Sequence, residues 1–336
     1  NQSRALSLDI IANSVADNWQ RPVYFATTVP SSYYLGLSPF LSGAGMAYEV
    51  TPYVSPAYSP TAEKTYRKIL TDYRWGGLDG PNADKLYLDE TVRRMVSSVR
   101  SGVFTTIEDL MQTGDLPASA ASREAARNAG LEEPETLNDM ARQLLQTIES
   151  KLPGNVSPND SMIGLYMARA YYDLYLADGN KADLEAAERL IAADVHRYAQ
   201  LVKYASTLDY NDFNLLGRSE MYALQYLGEA VALQNRIDIL KAKPELLDNP
   251  DYERVLTAMS LEDDLRLAPM MYIHGYDDAT LVGELDNYNG SSRELVEAAI
   301  TLHRANSEAG VDPMAFSRDL MNRYGFSEME WDAVLR

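Results

Sequence analysis

Residues that could carry out acid–base or metal chemistry are few and scattered in this chain. The only three histidines are His196, His274 and His303, and none lies in the HExxH spacing of a zinc hydrolase. Cysteine is absent, which excludes thiol catalysis, disulfides and cysteine-ligated zinc. We therefore predict no metal site and no cofactor, and we interpret each histidine as a surface or hydrogen-bonded helix residue.

Nucleophile and phosphate-binding motifs are also missing. Residues 217–221 read G-R-S-E-M, which lacks the second glycine of a G-x-S-x-G nucleophile elbow and lies in a predicted helix. Neither a G-x-x-x-x-G-K-[ST] loop nor a G-x-G-x-x-G loop occurs, and Gly43-Ala44-Gly45 predicts only a turn. These motifs give no catalytic residue.

Pairs of carboxylates are the remaining catalytic possibility, because all-α glycosidases use two of them. The densest clusters are residues 262–264 and 277–278. In a chain with 49 acidic residues such clusters arise by chance, and their spacing does not bring two carboxylates across one cleft. We predict no catalytic residue, and an all-α carbohydrate-active enzyme remains an alternative.

Tyrosines form a more informative set, because the chain has 23 of them and flat amphipathic rings suit sugar or peptide surfaces. Five lie in the N-terminal segment and are our predicted binding residues: Tyr33, Tyr34, Tyr48, Tyr53 and Tyr58. The alternative is that these rings pack between strands and helices. Four more fall on one predicted helix and are interpreted as packing between helices: Tyr166, Tyr171, Tyr172 and Tyr175.

Charge and hydropathy narrow the classes of partner. The chain has 49 acidic and 30 basic residues, a formal charge of −19, and such a field repels the phosphates of nucleic acids. No apolar stretch approaches the ~20 residues of a membrane span, and no signal-peptide pattern opens the sequence. The sequence therefore predicts a soluble globular chain that does not bind nucleic acid.

The pattern of residues predicts a small α/β cap over residues 1–58. Its start has apolar residues at helical spacing, and Pro22 excludes the residue before it from the helix. Two segments rich in β-branched and aromatic residues follow. The predicted elements are a helix over 3–19, a strand over 23–29, a loop over 30–45 with a short helix near 33–37, and a strand over 46–53.

The rest of the chain is predicted to be helical, with a TPR-like helical domain over residues 59–243 and a C-terminal helical subdomain over 244–336. Each helix has a one-sided apolar stripe, which we expect to be buried on a neighbouring helix. One stripe comprises Val92, Met95, Val96, Val99, Val103, Ile107 and Leu110. Further predicted helices cover 137–153, 161–178, 183–206, 212–243, 292–307 and 313–324, and residues 114–135 are predicted as an exposed Ala/Ser-rich loop with a short helix. The predicted fold class is thus mainly α, with TPR-like antiparallel hairpins and two or three short strands.

Five segments carry a resemblance to a known family. They begin with W-Q-R-P-V-Y-F-A at residues 19–26 and continue at 32–37, 45–52, 73–78 and 87–95. Together they resemble the soluble C-terminal portion of a family of large Bacteroidetes membrane proteins, the domain of unknown function 2723. Members of that family are similar to protein O-mannosyltransferases with a GT-C membrane core. The resemblance runs patchily from residue 7 to residue 235 and is interrupted at 114–135.

The resemblance implies a parent protein that is a transmembrane glycosyltransferase using a lipid-linked sugar donor. The catalytic acid of such a protein lies in an N-terminal extracytoplasmic loop, which these segments do not include, so no catalytic residue is carried over. The implied location is the periplasmic face of the inner membrane, as part of a multi-pass membrane protein. Membrane association is expected only through the transmembrane part.

We therefore expect an extracytoplasmic, non-catalytic accessory domain of a membrane-bound glycosyltransferase-like protein. Its expected partners are a protein or glycan acceptor, or the parent membrane domain. A free-standing helical scaffold or nutrient-binding protein remains a second possibility, beside the all-α carbohydrate-active enzyme named above.

Overall fold

The computed structural model confirms a mainly helical chain with one small antiparallel sheet near its N-terminus. It divides into two compact units, Asn1–Ile163 and Gly164–Arg336, which are described separately. This division into two units does not test the predicted domain boundaries near residues 58 and 243. The structure describes residues 2–54, 60–158, 162–206, 208, 222–253 and 256.

The first unit begins with a helix and a three-stranded sheet. Both strand pairings are antiparallel, in the order β1-β3-β2, so that Tyr48 of β3 lies between Phe25 and Gly43. The elements are α1 (Gln2–Ala16), β1 (Tyr24–Ala26), β2 (Leu41–Gly43) and β3 (Ala47–Val50).

Strand β2 corrects the prediction of a continuous loop over residues 30–45. The strand is only three residues long, too short for alternation of apolar and polar residues to reveal it, and its pairing depends on the turn that follows it. The predicted short helix near residues 33–37 is replaced by two 3₁₀ turns, Ser31–Tyr33 and Ser38–Phe40. Between them Leu35 and Gly36 have φ angles of 59° and 81°, which no right-handed helix can contain.

Helix α1 confirms the predicted N-terminal helix but corrects its predicted burial. Four of its large apolar side chains are at least half exposed, Leu6 the most at 62%. They lie on opposite sides of the helix instead of along one stripe, so a single neighbouring surface cannot cover them all. The exposed residues are Leu6, Leu8, Ile10 and Val15.

Four more helices complete the described part of the first unit. Helix α3 packs along α5 and also contacts α2 and β2, while α2 packs against α4. The helices are α2 (Pro60–Thr71), α3 (Glu90–Met111), α4 (Ala120–Asn128) and α5 (Leu137–Lys151).

The segment over residues 114–135 contains the predicted short helix, α4, and most of its residues are exposed as predicted, but α4 is anchored to α2. Glu63 of α2 accepts hydrogen bonds from the backbone N–H of Ser119 at 3.0 Å and from the hydroxyl of Ser122 at 2.6 Å. This places a carboxylate at the N-terminus of α4, where it also interacts favourably with the helix dipole. Ala125 and Ala126 are buried as a result, because α4 is held against α2.

The buried face of α3 is shorter than its predicted apolar stripe. Val96, Val103, Ile107 and Leu110 are buried, but Met95 in the first turns is 63% exposed. The apolar face therefore begins at Val96, the first residue of the stripe that is enclosed by the rest of the unit.

Arg100 lies in the middle of this buried face and is completely enclosed. Its guanidinium donates to the carbonyl of Leu152 at 2.7 Å, to that of Pro158 at 3.0 Å and to that of Ser157. These carbonyls follow the end of α5 and have no partner within the helix. A buried cation thus ties the end of α5 and the following turn to α3.

The described part of the second unit consists of long helices. Helix α6 ends directly before Gly179, as the sequence predicts. The φ angle of this glycine is 75°, which allows the chain to reverse into α7. Gly164 at the start of α6 lies against Asp194 of α7, so the two helices run antiparallel as a hairpin. Such a hairpin is consistent with the TPR-like prediction. The helices are α6 (Ile163–Asp178), α7 (Lys181–Ser206) and α8 (Ala223–Ala242), and α7 packs along α8.

The tyrosines of α6 mostly fulfil the predicted packing role. Tyr171, Tyr172 and Tyr175 are buried, whereas Tyr166 is exposed to 41%. His196 is exposed on α7, as predicted for a surface histidine. Outside the described residues lie His274, His303, the acidic clusters at 262–264 and 277–278, and the predicted helices at 292–307 and 313–324.

Replacement of Arg100 by lysine should destabilise the first unit. A lysine ammonium cannot reach all three carbonyls with planar donors, so Arg100→Lys should lower the free energy of unfolding by about 3 kcal/mol, measured by urea titration. Arg123 is exposed on α4, and Arg123→Lys is the matched control, with an expected change below about 0.5 kcal/mol. Equal stability of the two variants would contradict this role for Arg100.

The carboxyl of Asp194 should make the stability of the second unit depend on pH. The residue is 5% exposed, and burial raises its pKa to about 6, against a smaller lowering effect of Arg197. Between about pH 4 and pH 6 the unfolded chain ionises this carboxyl and the folded chain does not, so stability falls as pH rises. At pH 7.5 Asp194→Asn should therefore be more stable than the wild type by about 2 kcal/mol, and the gap should close near pH 4.

Glu185→Gln is the control for this prediction, because it removes an exposed carboxyl from the same helix. Its free energy of unfolding should differ from that of the wild type by less than about 0.5 kcal/mol both near pH 4 and at about pH 7.5. A constant gap between Asp194→Asn and the wild type from pH 4 to pH 7.5 would disprove the titration.

Candidate functional site

An open cleft of about 450 Å³ lies beside the sheet of the first unit. One wall comes from the sheet and the residues after β1, and the other comes from the N-terminal and central turns of α3. Among the nine lining residues that the structure describes, seven carry a hydroxyl group and none carries a carboxylate. The cleft is therefore a polar and nearly neutral surface.

The sheet wall consists of Thr27, Thr28 and Tyr48. Thr27 directly follows β1, and its backbone N–H donates to the carbonyl of Met46 at 3.4 Å, which extends the pairing of β1 with β3. Because successive side chains of a strand point to opposite faces, Tyr48 faces away from the side of Glu49. Alternation along β3 thus directs one tyrosine ring towards the cleft.

The helix wall is one face of α3. Its polar residues recur at steps of three and four positions and so lie along one side of the helix, opposite the buried apolar face. The lining residues of this wall are Arg94, Ser97, Ser98, Ser101, Gly102 and Thr105.

Gly102 brings this helix close to the sheet. A Cβ atom at position 102 would lie 2.5 Å from the carbonyl oxygen of Gly45, in the turn between β2 and β3. Gly45 itself has a φ angle of 75°, so both sides of the contact depend on glycine. The turn predicted for Gly43-Ala44-Gly45 is confirmed, and Gly102, which contacts this turn, also lines the cleft.

Three hydroxyl groups of the cleft already donate their protons to the backbone. Ser98 and Thr105 each donate to the carbonyl four positions earlier, at 2.9 and 3.1 Å, and Thr27 donates to the carbonyl of Met46 at 3.4 Å. A hydroxyl whose proton is used in this way keeps its lone pairs as acceptors. These three groups are therefore set to accept hydrogen bonds.

Three other hydroxyl groups are available both to donate and to accept. The side chains of Thr28, Ser97 and Ser101 form no hydrogen bond with any residue that the structure describes. The cleft thus combines fixed acceptors with groups that can adapt to a ligand.

Charged groups lie at the edges of the cleft. Arg94 forms an exposed ion pair with Glu90 one helical turn earlier, at 2.5 Å. Asp109 lies one turn beyond Thr105, next to Gly43, and burial together with the charge of Glu108 raises its pKa to about 6. The positive charge of Arg94 is thus paired with Glu90, and the carboxyl of Asp109 lies outside the lining.

Of the five tyrosines predicted to bind a ligand, two come together. The ring of Tyr34 lies 5.4 Å from that of Phe25 and 5.9 Å, edge-on, from that of Tyr48. Of the four that the structure describes, Tyr48 alone lines the cleft, and Tyr34 contacts its ring. Tyr33 is 51% exposed and Tyr53 is 41% exposed, both away from the lining, and Tyr58 lies outside the described residues.

Sequence reasoning did not identify the serine and threonine residues of α3. The pattern that could have revealed them is the recurrence of hydroxyl residues at helical spacing on the side opposite the valines, at positions 97, 98, 101 and 105. Within the described part of the chain no group of three metal-binding side chains occurs, and no helix is long and apolar enough to cross a membrane.

Comparison with known proteins gives one finding. Residues 1–68 match the family model described as TMEM260-associated domain 2. This segment includes α1, the whole sheet and most of α2, and hence the sheet wall of the cleft but not α3. No curated protein and no solved structure matches the chain. The N-terminal fifth of the chain is therefore similar to TMEM260-associated domain 2.

Proposed function

We propose that this chain is an extracytoplasmic, non-catalytic accessory domain of a membrane-bound glycosyltransferase-like protein, and that its cleft positions a protein or glycan acceptor. The observation that carries the proposal is the cleft itself, an open surface with many hydroxyl groups and no carboxylate. Such a surface is suited to holding a polar partner, and it offers no acid or base to act on that partner.

Two similarities support the kind of parent protein. The match of residues 1–68 connects the N-terminal part of the chain with TMEM260, a protein considered similar to membrane O-mannosyltransferases. The segments at 19–26, 32–37 and 45–52 resemble the domain of unknown function 2723, whose members are of the same kind. Both similarities favour a membrane protein as the parent, and a multi-pass protein with this domain on its periplasmic side is what the second resemblance implies.

The arrangement of acids near the cleft favours binding over catalysis. Glycoside hydrolysis needs two carboxyl groups on opposite sides of the reacting bond. Glu108 and Asp109 are adjacent on α3, and adjacent positions of a helix point about 100° apart, so the two cannot flank one ligand. Asp109 is moreover turned towards Gly43 of the sheet and not into the cleft.

Helix α1 supports docking on a larger protein. Two of its exposed apolar side chains, Leu6 and Ile10, are four positions apart and so lie on the same side of the helix, where they form an apolar patch in contact with water. We assign this side of α1 to contact with the parent membrane domain, so that α1 fixes the domain while the cleft stays open to the acceptor.

A variant that fills the cleft tests the proposal. Ser101 is exposed, so Ser101→Trp should fill the cleft without disturbing the core. Immobilised chain should capture acceptor glycoproteins or glycans from an extracytoplasmic extract, and Ser101→Trp should reduce the captured amount at least about tenfold. The measurement is quantitative mass spectrometry of the eluted material.

Ser150→Trp is the matched control, because Ser150 is exposed on α5 and does not line the cleft. Its capture should equal that of the wild type. Equal capture by Ser101→Trp and the wild type would overturn the role of the cleft. Cleavage or transfer of a sugar by the purified chain would overturn the non-catalytic role.

A further inference from the structure

We propose that the ligand of the cleft is a neutral carbohydrate, with Tyr48 as its apolar platform and the hydroxyl groups of α3 as its hydrogen-bonding partners. This inference rests on the proposed function and specifies the chemistry of the same site. The volume of about 450 Å³ falls within the range of small-ligand sites, roughly 300–1,000 Å³.

The hydrogen-bonding groups of the cleft match those of a sugar. Thr27, Ser98 and Thr105 have already used their protons on backbone carbonyls and present acceptors. Ser97 and Ser101 can donate or accept, since neither side chain is bonded to a described residue. Each hydroxyl of a sugar can likewise donate and accept, so a single sugar ring can satisfy both kinds of group.

The ring of Tyr48 provides the apolar part of the site. A tyrosine ring is flat and rigid, and it suits the C–H face of a sugar, which is also flat and apolar. Tyr34 contacts Tyr48 edge-on at 5.9 Å, and Phe25 lies behind Tyr34 at 5.4 Å, so the aromatic ring is held from within the cap. The platform therefore exists before a ligand binds.

The charges around the cleft disfavour an anion. A phosphate or an acidic sugar is stabilised by positive charge, and the charged lining residue that the structure describes, Arg94, already forms an ion pair with Glu90. The chain as a whole carries a formal charge of −19, which repels anions. A cationic ligand lacks a partner as well, because no carboxylate lines the cleft. The charges around the cleft therefore favour a neutral ligand.

Titration calorimetry with simple saccharides tests the assignment. Methyl α-mannoside, methyl β-glucoside and a neutral trisaccharide are the neutral probes, and glucuronate and inorganic phosphate are the anionic ones. At least one neutral probe should bind with a dissociation constant on the order of 1 mM, as expected for an open site, and the affinity should not change between 50 and 500 mM NaCl.

Two kinds of variant separate the parts of the site. Tyr48→Ala should weaken binding by about tenfold and Tyr48→Phe by less, because phenylalanine keeps the aromatic platform. Ser101→Trp should abolish binding and Ser150→Trp should not. Since Tyr48→Ala also removes a ring that supports Tyr34, the Ser101→Trp result tests the site independently of any loss of folding.

Preferential binding of phosphate or glucuronate overturns the assignment, and so does saccharide binding that Ser101→Trp leaves unchanged. If no neutral saccharide binds while Ser101→Trp still abolishes capture of acceptor proteins, the carbohydrate assignment is wrong and the accessory role stands. If Ser101→Trp changes neither measurement, both proposals are wrong.

Discussion

The guanidinium of Arg100 anchors α3, the helix that forms one wall of the cleft, to the end of α5. Three carbonyl oxygens beyond the end of α5 converge on it, and those of the buried residues Leu152 and Ser157 would lose this donor without it. Because the arginine belongs to α3, these bonds fix the long axis of that helix against α5. The opposite side of α3 is thereby held in one orientation towards the sheet, and this orientation defines the cleft.

On that opposite side, the distance between helix and sheet depends on small residues. Gly102 and Gly45 allow α3 to touch the turn between β2 and β3, while the larger Ser98 and Thr105 lie on either side of the contact. Opposite faces of α3 therefore contribute to the core and to the cleft, and each face needs side chains of a different kind. Buried valines and isoleucine serve the first, and hydroxyl groups serve the second.

Much of the fold could be predicted from the sequence because helices leave a periodic pattern. The spans of α5, α6 and α7 were predicted to within a few residues from apolar spacing and from Gly179 as a stop. Strand β2 was missed because three residues carry no measurable alternation. The exposure of α1 was missed because apolar spacing gives the positions of side chains but not whether a neighbour exists to cover them.

The candidate site was predicted only in part, for a related reason. Tyr48 was singled out as an aromatic residue near the N-terminus, and it lines the cleft. Its neighbours on α3 lie about fifty positions later in the chain, and nothing in local spacing connects a strand with a helix that far away. Serine and threonine also look like ordinary solvated residues in a helical pattern, so only the packing of α3 on the sheet reveals them as a group.

The division of α3 into two faces has a consequence for how this surface can change in evolution. Positions 97, 98, 101 and 105 can be exchanged for other polar or aromatic residues without removing any side chain from the core. Related chains can therefore acquire different ligands at little cost in stability, whereas substitutions one position away, at Val96 or Arg100, would be selected against. A variable strip beside an unchanging one on the same helix is the pattern to look for in an alignment of relatives.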